Sequence, residues 1–464
     1  MQRAAEPARV PGEAEAPLGK AETLLELAYL PLPSAMLARG TTVLRSASSH
    51  TLALCLQAQV LLLELDRAHL RPLEVLRRTS NANARGAASP SLEVVGIDAL
   101  WHPDAGLNLV AIARSSASDN LHEIVIAYVS AGAATAEADG KVQTATLALD
   151  FPPLIAQWLR LADTPTLAVS DAESGRLHVF TLPQAAAPPA DTSPVLVELE
   201  DTQSSDALGG LARRFQAPVL ALAEWRCPHS GCSARVAASE DGTVELLAQK
   251  GWGEAPARQW VRVERPVNVA FFFEDSLAAA SPGEPPVVHL FAGSVLCGAC
   301  FFADVLRNGL RAPVLALPDS VSVLCGSPWR AQPSTLLVGT WCRTLYCLQL
   351  RCVGEGASRE WSCRLVWSRE LPHALYGIDM IDATCDGLDE IVVRTLQGLH
   401  VLQEELAGVC AELRVGLAEL LRQCDDEASP SAGGAGGRDA LSRALSRTGA
   451  IAELQVRLKR HALS

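Results

Sequence analysis

Short apolar runs alternate with polar or glycine-containing breaks along most of the chain, and one unit recurs: an apolar strand, a tight turn, a second apolar strand. It reads "TLALCLQAQVLLLEL" from Thr51, "TLAVSDAESGRLHVFTL" from Thr166 and "RVAASEDGTVELLAQ" from Arg235, then "TLLVGTWCRTLYCLQL" from Thr335 and "EIVVRTLQGLHVLQ" from Glu390. Apolar runs of strand length bounded by turn residues predict strands buried in a sheet. Ser174-Gly175, Asp241-Gly242 and Gln397-Gly398 supply the hairpin turns. Further strands are expected over 93–100, 122–129, 217–225, 266–273 and 286–296.

The hairpins return every ~50 to 70 residues, a period suited to four-stranded propeller blades with long loops. Seven units result, near 41–66, 92–130, 144–182, 215–250, 262–305, 314–350 and 365–403. One blade alone leaves an apolar face exposed, whereas circular stacking buries both faces and blunts the edges. The expectation is therefore an all-β, seven-bladed β-propeller over 29–403, after a disordered segment 1–28. Two β-sandwich domains are the rival. Their one candidate boundary, "PQAAAPPADTSP" (183–194), has the same repeat on both sides.

After Gln403 the period changes. Leu406, Cys410, Leu413, Leu417, Leu420 and Cys424 form one stripe of an amphipathic helix over 404–426. A Gly/Ser/Ala linker follows over 427–438, then a second helix over 439–464 carrying Leu441, Leu445, Ile451, Leu454 and Leu458. This C-terminal helical extension either packs on the propeller or docks on a partner.

Composition narrows the function. With 49% hydrophobic and 20% charged residues the chain is globular. A net charge of −13 and no long Lys/Arg run exclude a nucleic-acid binder, which must neutralise phosphates. The N-terminus has charges and prolines where a signal peptide needs an apolar core, and the most apolar window, 51–65, is too short to span a bilayer. A cytoplasmic protein without direct membrane insertion is expected.

The thirteen cysteines lie mostly in apolar runs, as at Cys55, Cys325, Cys347 and Cys385, where a thiol behaves as a small hydrophobe. Cys227, His229 and Cys232 in "CPHSGC", and Cys297 and Cys300 in "CGAC", each offer part of a zinc site, but neither has a second pair at the usual distance. Asp382, Thr384, Asp386 and Glu390 lie at i, i+2, i+4 and i+8 around Gly387. That order fits a calcium loop, with Asp382, Asp386 and Glu390 as ligands, or an Asx-type turn leading into a strand. The preceding unit has no carboxylate over 326–339, which favours the turn.

The ten histidines stand in no catalytic motif, and His178, His289 and His400 sit among apolar strand residues. Neither an enzyme nor a bound cofactor is expected. Trp and Arg anchor many protein interfaces, so Trp341 and Arg343, with Arg307 of "RNGL" beside them, are the candidate partner-binding residues.

Two stretches resemble the kaptin family, subunits of the KICSTOR complex. "FFADVLRNGLRAPVLALPDSVSVLCG" (301–326) is similar to the family's "LNRGL" segment and the "LLLPGSDQFDSVLC" after it. "LVWSRELPHALYGIDMIDATCDGLDEIVVRTLQGLHVLQ" (365–403) is similar to its last blade, with a "GDGxxE" turn and a "KGVHILQ" hairpin. Weaker similarity reaches back to Tyr29, while the acidic turn of the family's penultimate blade has no counterpart at 326–334. The resemblance implies a non-enzymatic scaffold. It would take part in nutrient control of TOR complex signalling by recruiting GATOR-type regulators to the lysosomal surface, with other KICSTOR subunits as partners. The family's association with actin filaments implies an alternative, an actin-binding cytoskeletal protein. An acidic chain gains no electrostatic help in binding acidic actin.

Overall fold

In the computed structural model the described residues lie between 24 and 404, less several connections of which 77–91, 131–142, 183–195 and 276–285 are the longest. The expected helices and linker over 404–464 lie outside the described residues beyond Glu404, which ends a strand. So does the segment before Leu24.

The chain is an all-β propeller. Its strands form antiparallel four-stranded sheets, each built from consecutive strands: β6 (Glu93–His102) to β9 (Gln143–Leu149), β10 (Pro153–Leu159) to β13 (Val197–Glu198), and β14 (Val219–Arg226) to β17 (Ala257–Arg262). β18 (Val267–Asp275) to β21 (Val314–Leu315) and β22 (Val321–Ser327) to β25 (Glu360–Glu370) follow. A further sheet joins β26 (Leu375–Ile381), β27 (Glu390–Thr395) and β28 (Gly398–Glu404) to β1 (Leu24–Pro31) from the other end of the chain. These six are described through to their side chains, and the sheet β2 (Met36–Arg45) to β5 (Leu70–Leu76) in backbone alone. The first strand of each sheet lies beside the first strand of the next, and β2 packs against both β6 and β26.

The hairpins read from sequence are the second and third strands of their sheets, as in β11 (Thr166–Asp171) with β12 (Leu177–Thr181) and β23 (Thr335–Thr340) with β24 (Thr344–Val353). Their phase is less faithful. β9, expected at the head of the third unit, closes the preceding sheet, and the expected start of the seventh unit falls within β25, the outer strand of its predecessor. The N-terminal boundary also moves, since Leu24 to Ala28 belong to β1 rather than to a disordered segment.

The second strands are buried throughout and mostly apolar because sheets cover both of their faces: every residue of β11, β19 (Val287–Ser294), β23 and β27 is buried, a few polar ones such as His289, Glu390 and Arg394 included. Each large core lies between neighbouring sheets. Phe273, Phe291 and Phe301 meet Val321, Leu336 and Val338 in one, and Leu337, Leu345 and Trp367 meet Ile391 and Val393 in another. At ~1.5 to 3 kcal/mol for each large apolar side chain buried, these layers hold the ring together. Polar contacts add register. The Asp98 carboxylate accepts the Trp158 N–H at 2.9 Å across one junction, and Trp225 Nε1 donates to Glu274 at 3.1 Å across another. Gly242 turns its hairpin at φ 84°, where a Cβ would overlap the Val263 carbonyl.

The one helix among the described residues is a single turn, α1 (Val305–Asn308).

Candidate functional site

A repeated irregularity shapes the centre of the ring. Where each first strand pairs with its second, the register shifts near the start: between Val94 and Gly96, Pro153 and Ile155, Val219 and Ala221, Val267 and Val269, Val321 and Val323, and Leu375 and Gly377. A bulge re-aims the residue it frees from the ladder. Four of the freed residues, Leu220, Asn268, Ser322 and Tyr376, line a central cavity of about 300 Å³.

Arg394 on β27 reaches this cavity across the glycine paired with it, Gly377, where a Cβ would overlap the guanidinium. The side chain is 8% exposed, and its Nη2 lies 3.0 Å from Asp379 Oδ2. Asp98, which lines the cavity from β6, is held differently. Burial pushes its carboxyl up, against the Arg160 guanidinium 3.2 Å away and the N–H groups of Trp158 and Ala99. Sequence reasoning missed both sites. Their trace in the sequence is the tripeptide Gly-Ile-Asp, present at 96–98 and at 377–379.

Two of the three expected interface residues, Trp341 and Arg343, share the turn between β23 and β24, and the third, Arg307, lies apart on α1. Trp341 lines the cavity, half-buried, with its ring edge-to-face on Tyr376 at 5.0 Å and 89°. Arg343, two residues on, is exposed and pairs with Glu370 at 2.9 Å, its φ of 71° closing the turn between β23 and β24. Asp319 anchors that turn by accepting the Cys342 N–H at 3.0 Å. Burial works to raise the Asp319 carboxyl, but hydrogen bonds from Cys342, Thr340 and Ser320 outweigh it and hold the group below the usual range. Arg307 belongs to α1, which packs against β19 and β16 (Thr243–Gln249). It pairs with Asp304 at 2.7 Å.

In the acidic loop, residues 384–388, including Asp386, lie outside the described residues. Glu390 is fully buried, and both its oxygens take N–H donors: the Ala383 amide at 2.7 Å and Gln403 Nε2 at 2.9 Å. This is how a carboxylate ties a turn to its strand. In "CPHSGC", the Cys227 N–H donates to the Cys232 carbonyl at 2.9 Å, and the Cys232 thiol to the Lys250 carbonyl at 2.9 Å. Burial opposes ionisation of Cys227, yet hydrogen bonds from Ser230 and from the His229 and Ser230 amides bring its thiol below the ordinary value. Cys297 lies outside the described residues, and burial pushes the Cys300 thiol up against the pull of Arg265. Among the described residues no three His, Cys, Asp or Glu side chains converge as metal ligands, and no helix is long and apolar enough to cross a membrane.

The buried histidines have structural partners. His178 Nδ1 lies 2.9 Å from Glu198, and His400 Nδ1 lies 2.8 Å from Glu26. His289 Nδ1 accepts the Asp304 N–H at 3.2 Å.

Residues 266–414 match the family model described as KICSTOR complex protein kaptin, a stretch that takes in three sheets from β18 to β28. The kaptin of Mus musculus is 29% identical over 187 residues, 38% of this chain and 43% of the mouse protein, so the match spans under half of that relative's length. Both comparisons support the resemblance read from residues 301–403, and the family match begins further upstream, at residue 266. Among solved structures, a chain of the mitotic checkpoint complex aligns over 85% of this chain and 98% of its own at 11% identity, with a TM-score of 0.49. Sqt1 of Saccharomyces cerevisiae aligns over 82% and 98% at 9% identity, with a TM-score of 0.47.

Proposed function

We propose that the chain acts as kaptin does by name, as a KICSTOR-type subunit: a non-enzymatic, seven-bladed propeller scaffold in nutrient control of TOR complex signalling. In this reading it recruits GATOR-type regulators to the lysosomal surface through its fellow subunits. The observation that carries it is the family match over residues 266–414. A scaffold also suits the chemistry of the core, where the imidazoles of His178 and His400 are spent on clasping outer strands through Glu198 and Glu26. The exposed Arg343–Glu370 pair is our leading candidate for partner capture, with Trp341 behind it. Arg307 is a poorer probe, because reversing its charge would set a second carboxylate beside buried Asp304.

The test is affinity purification of the tagged full chain from its own cells, fed and starved, with mass spectrometry of stable partners. Recovery of KICSTOR subunits or GATOR components supports the reading; actin alone replaces it with the cytoskeletal one. Arg343→Glu should weaken capture at unchanged melting temperature, since an exposed pair contributes only ~0 to 1 kcal/mol to stability. Unchanged capture removes Arg343 from the interface.

A further inference from the structure

We propose that the central cavity is a binding site for the oxyanion group, a carboxylate or a phosphate, of a small molecule, with Arg394 and Ser322 as its donors. Arg394 is 6% exposed, and among the described residues its Nε and Nη1 have no hydrogen-bond partner. Ser322 Oγ on β22 is likewise buried without a partner, and the two residues line the same cavity. A buried cationic donor left without an acceptor is costly, and an oxyanion is the acceptor that a guanidinium matches best.

The surrounding charges leave room for such a ligand. Asp379 takes only Nη2 of the guanidinium, holding the side chain in place. Asp98, the one carboxylate among the described lining residues, is already engaged at the blade junction by Ala99, Trp158 and Arg160. Gly377 leaves the space across which Arg394 extends. The rest of the lining sets the ligand's body. Ile97, Ile155, Leu222 and Val323 are aliphatic, Trp341 and Tyr376 aromatic. A volume of about 300 Å³ is at the lower end for small-molecule pockets, so the ligand is a compact organic acid or phosphorylated metabolite.

The experiment uses the full chain with inorganic phosphate and succinate as probes, and sodium chloride at matched ionic strength as control. Either oxyanion should raise the melting temperature saturably where chloride does not, and the one that does so identifies the group. Ser322→Ala should weaken that probe about fivefold, the loss of one neutral hydrogen bond. Arg394→Met should abolish the effect. Because that variant could fail to fold, modification of unaltered protein by phenylglyoxal gives an independent reading by peptide mass spectrometry, with Arg394 protected by the effective probe. If neither probe exceeds chloride and Arg394 is modified equally with and without them, the proposal is overturned.

Discussion

The imidazole of His400 and the carboxylate of Glu26 lie 2.8 Å apart although 374 residues separate them in the chain. This contact joins β1 to β28 and so closes the ring with strands from its two ends. Arg369 strengthens the clasp, donating to the Leu24 carbonyl at 2.8 Å and approaching Glu26 at 3.7 Å. Glu26→Ala leaves the His400 imidazole, 3% exposed, without its acceptor and should cost ~1 to 3 kcal/mol. Glu26→Gln, which can still accept, should recover much of that loss. Urea titration of the three proteins checks both, and equal midpoints would mean that the outer strand is held by its backbone ladder alone.

His289 makes stability depend on pH. Its ring is packed among Phe273, Phe301 and Trp361, and burial lowers its pKa from the ordinary 6.5 to about 4, against the pull of Asp275. Between those values the unfolded chain binds the proton that the folded chain refuses. The contribution is therefore intact above pH 6.5 and lost as the pH falls towards 4, by up to about 3 kcal/mol. His289→Phe should flatten this limb of the stability profile. An unchanged slope between pH 6.5 and 4 would assign it to other groups.

Thiol labelling should divide the cysteines of the β22–β25 sheet. Burial pushes Cys347 and Cys363 up to about 12, so a maleimide at neutral pH should reach them only after unfolding. Cys342 and Cys352 are exposed and should label in the native state. Cys342 should react more slowly than an unperturbed exposed thiol, because its hydrogen bond to Asp319 favours the protonated form. Peptide mapping at short times reads all four, and early labelling of Cys347 would show that the sheet opens locally.

Second and third strands were legible because both of their faces are covered, so each reads as one apolar run closed by a turn, as in "EIVVRTLQGLHVLQ". The outer strands were not. β17 exposes Arg258, Gln259 and Trp260, the last at 73%, and nothing in such a polar stretch announces a strand. β9 is misassigned from sequence for the same reason: its alternate exposure carries no mark of which neighbour it pairs with. The cavity was hidden more deeply. A one-residue shift decides whether Ser322 and Tyr376 face the channel or the ladder, and apolar periodicity does not record it. Arg394 reads in sequence as an interruption of an apolar strand, and its meaning lies in Gly377, seventeen residues earlier, beneath it.

The acidic loop yields opposite outcomes for its two readings. With both Glu390 oxygens taken by the Ala383 amide and Gln403, a calcium ion would have to displace buried hydrogen bonds to use this carboxylate. Millimolar Ca²⁺ should therefore leave the melting temperature unchanged in the native protein and in Asp386→Ala alike. Glu390→Ala should lower stability without calcium, by ~1 to 3 kcal/mol for the donors it strands, whereas Glu390→Gln keeps an acceptor for Ala383 and should lose less. A calcium-dependent rise in melting temperature that disappears in Asp386→Ala would restore the ion, with Asp382, Asp386 and Glu390 as its ligands. In that event the Glu390 side chain must turn away from Gln403, and weakened calcium binding in Gln403→Leu would argue against such a movement.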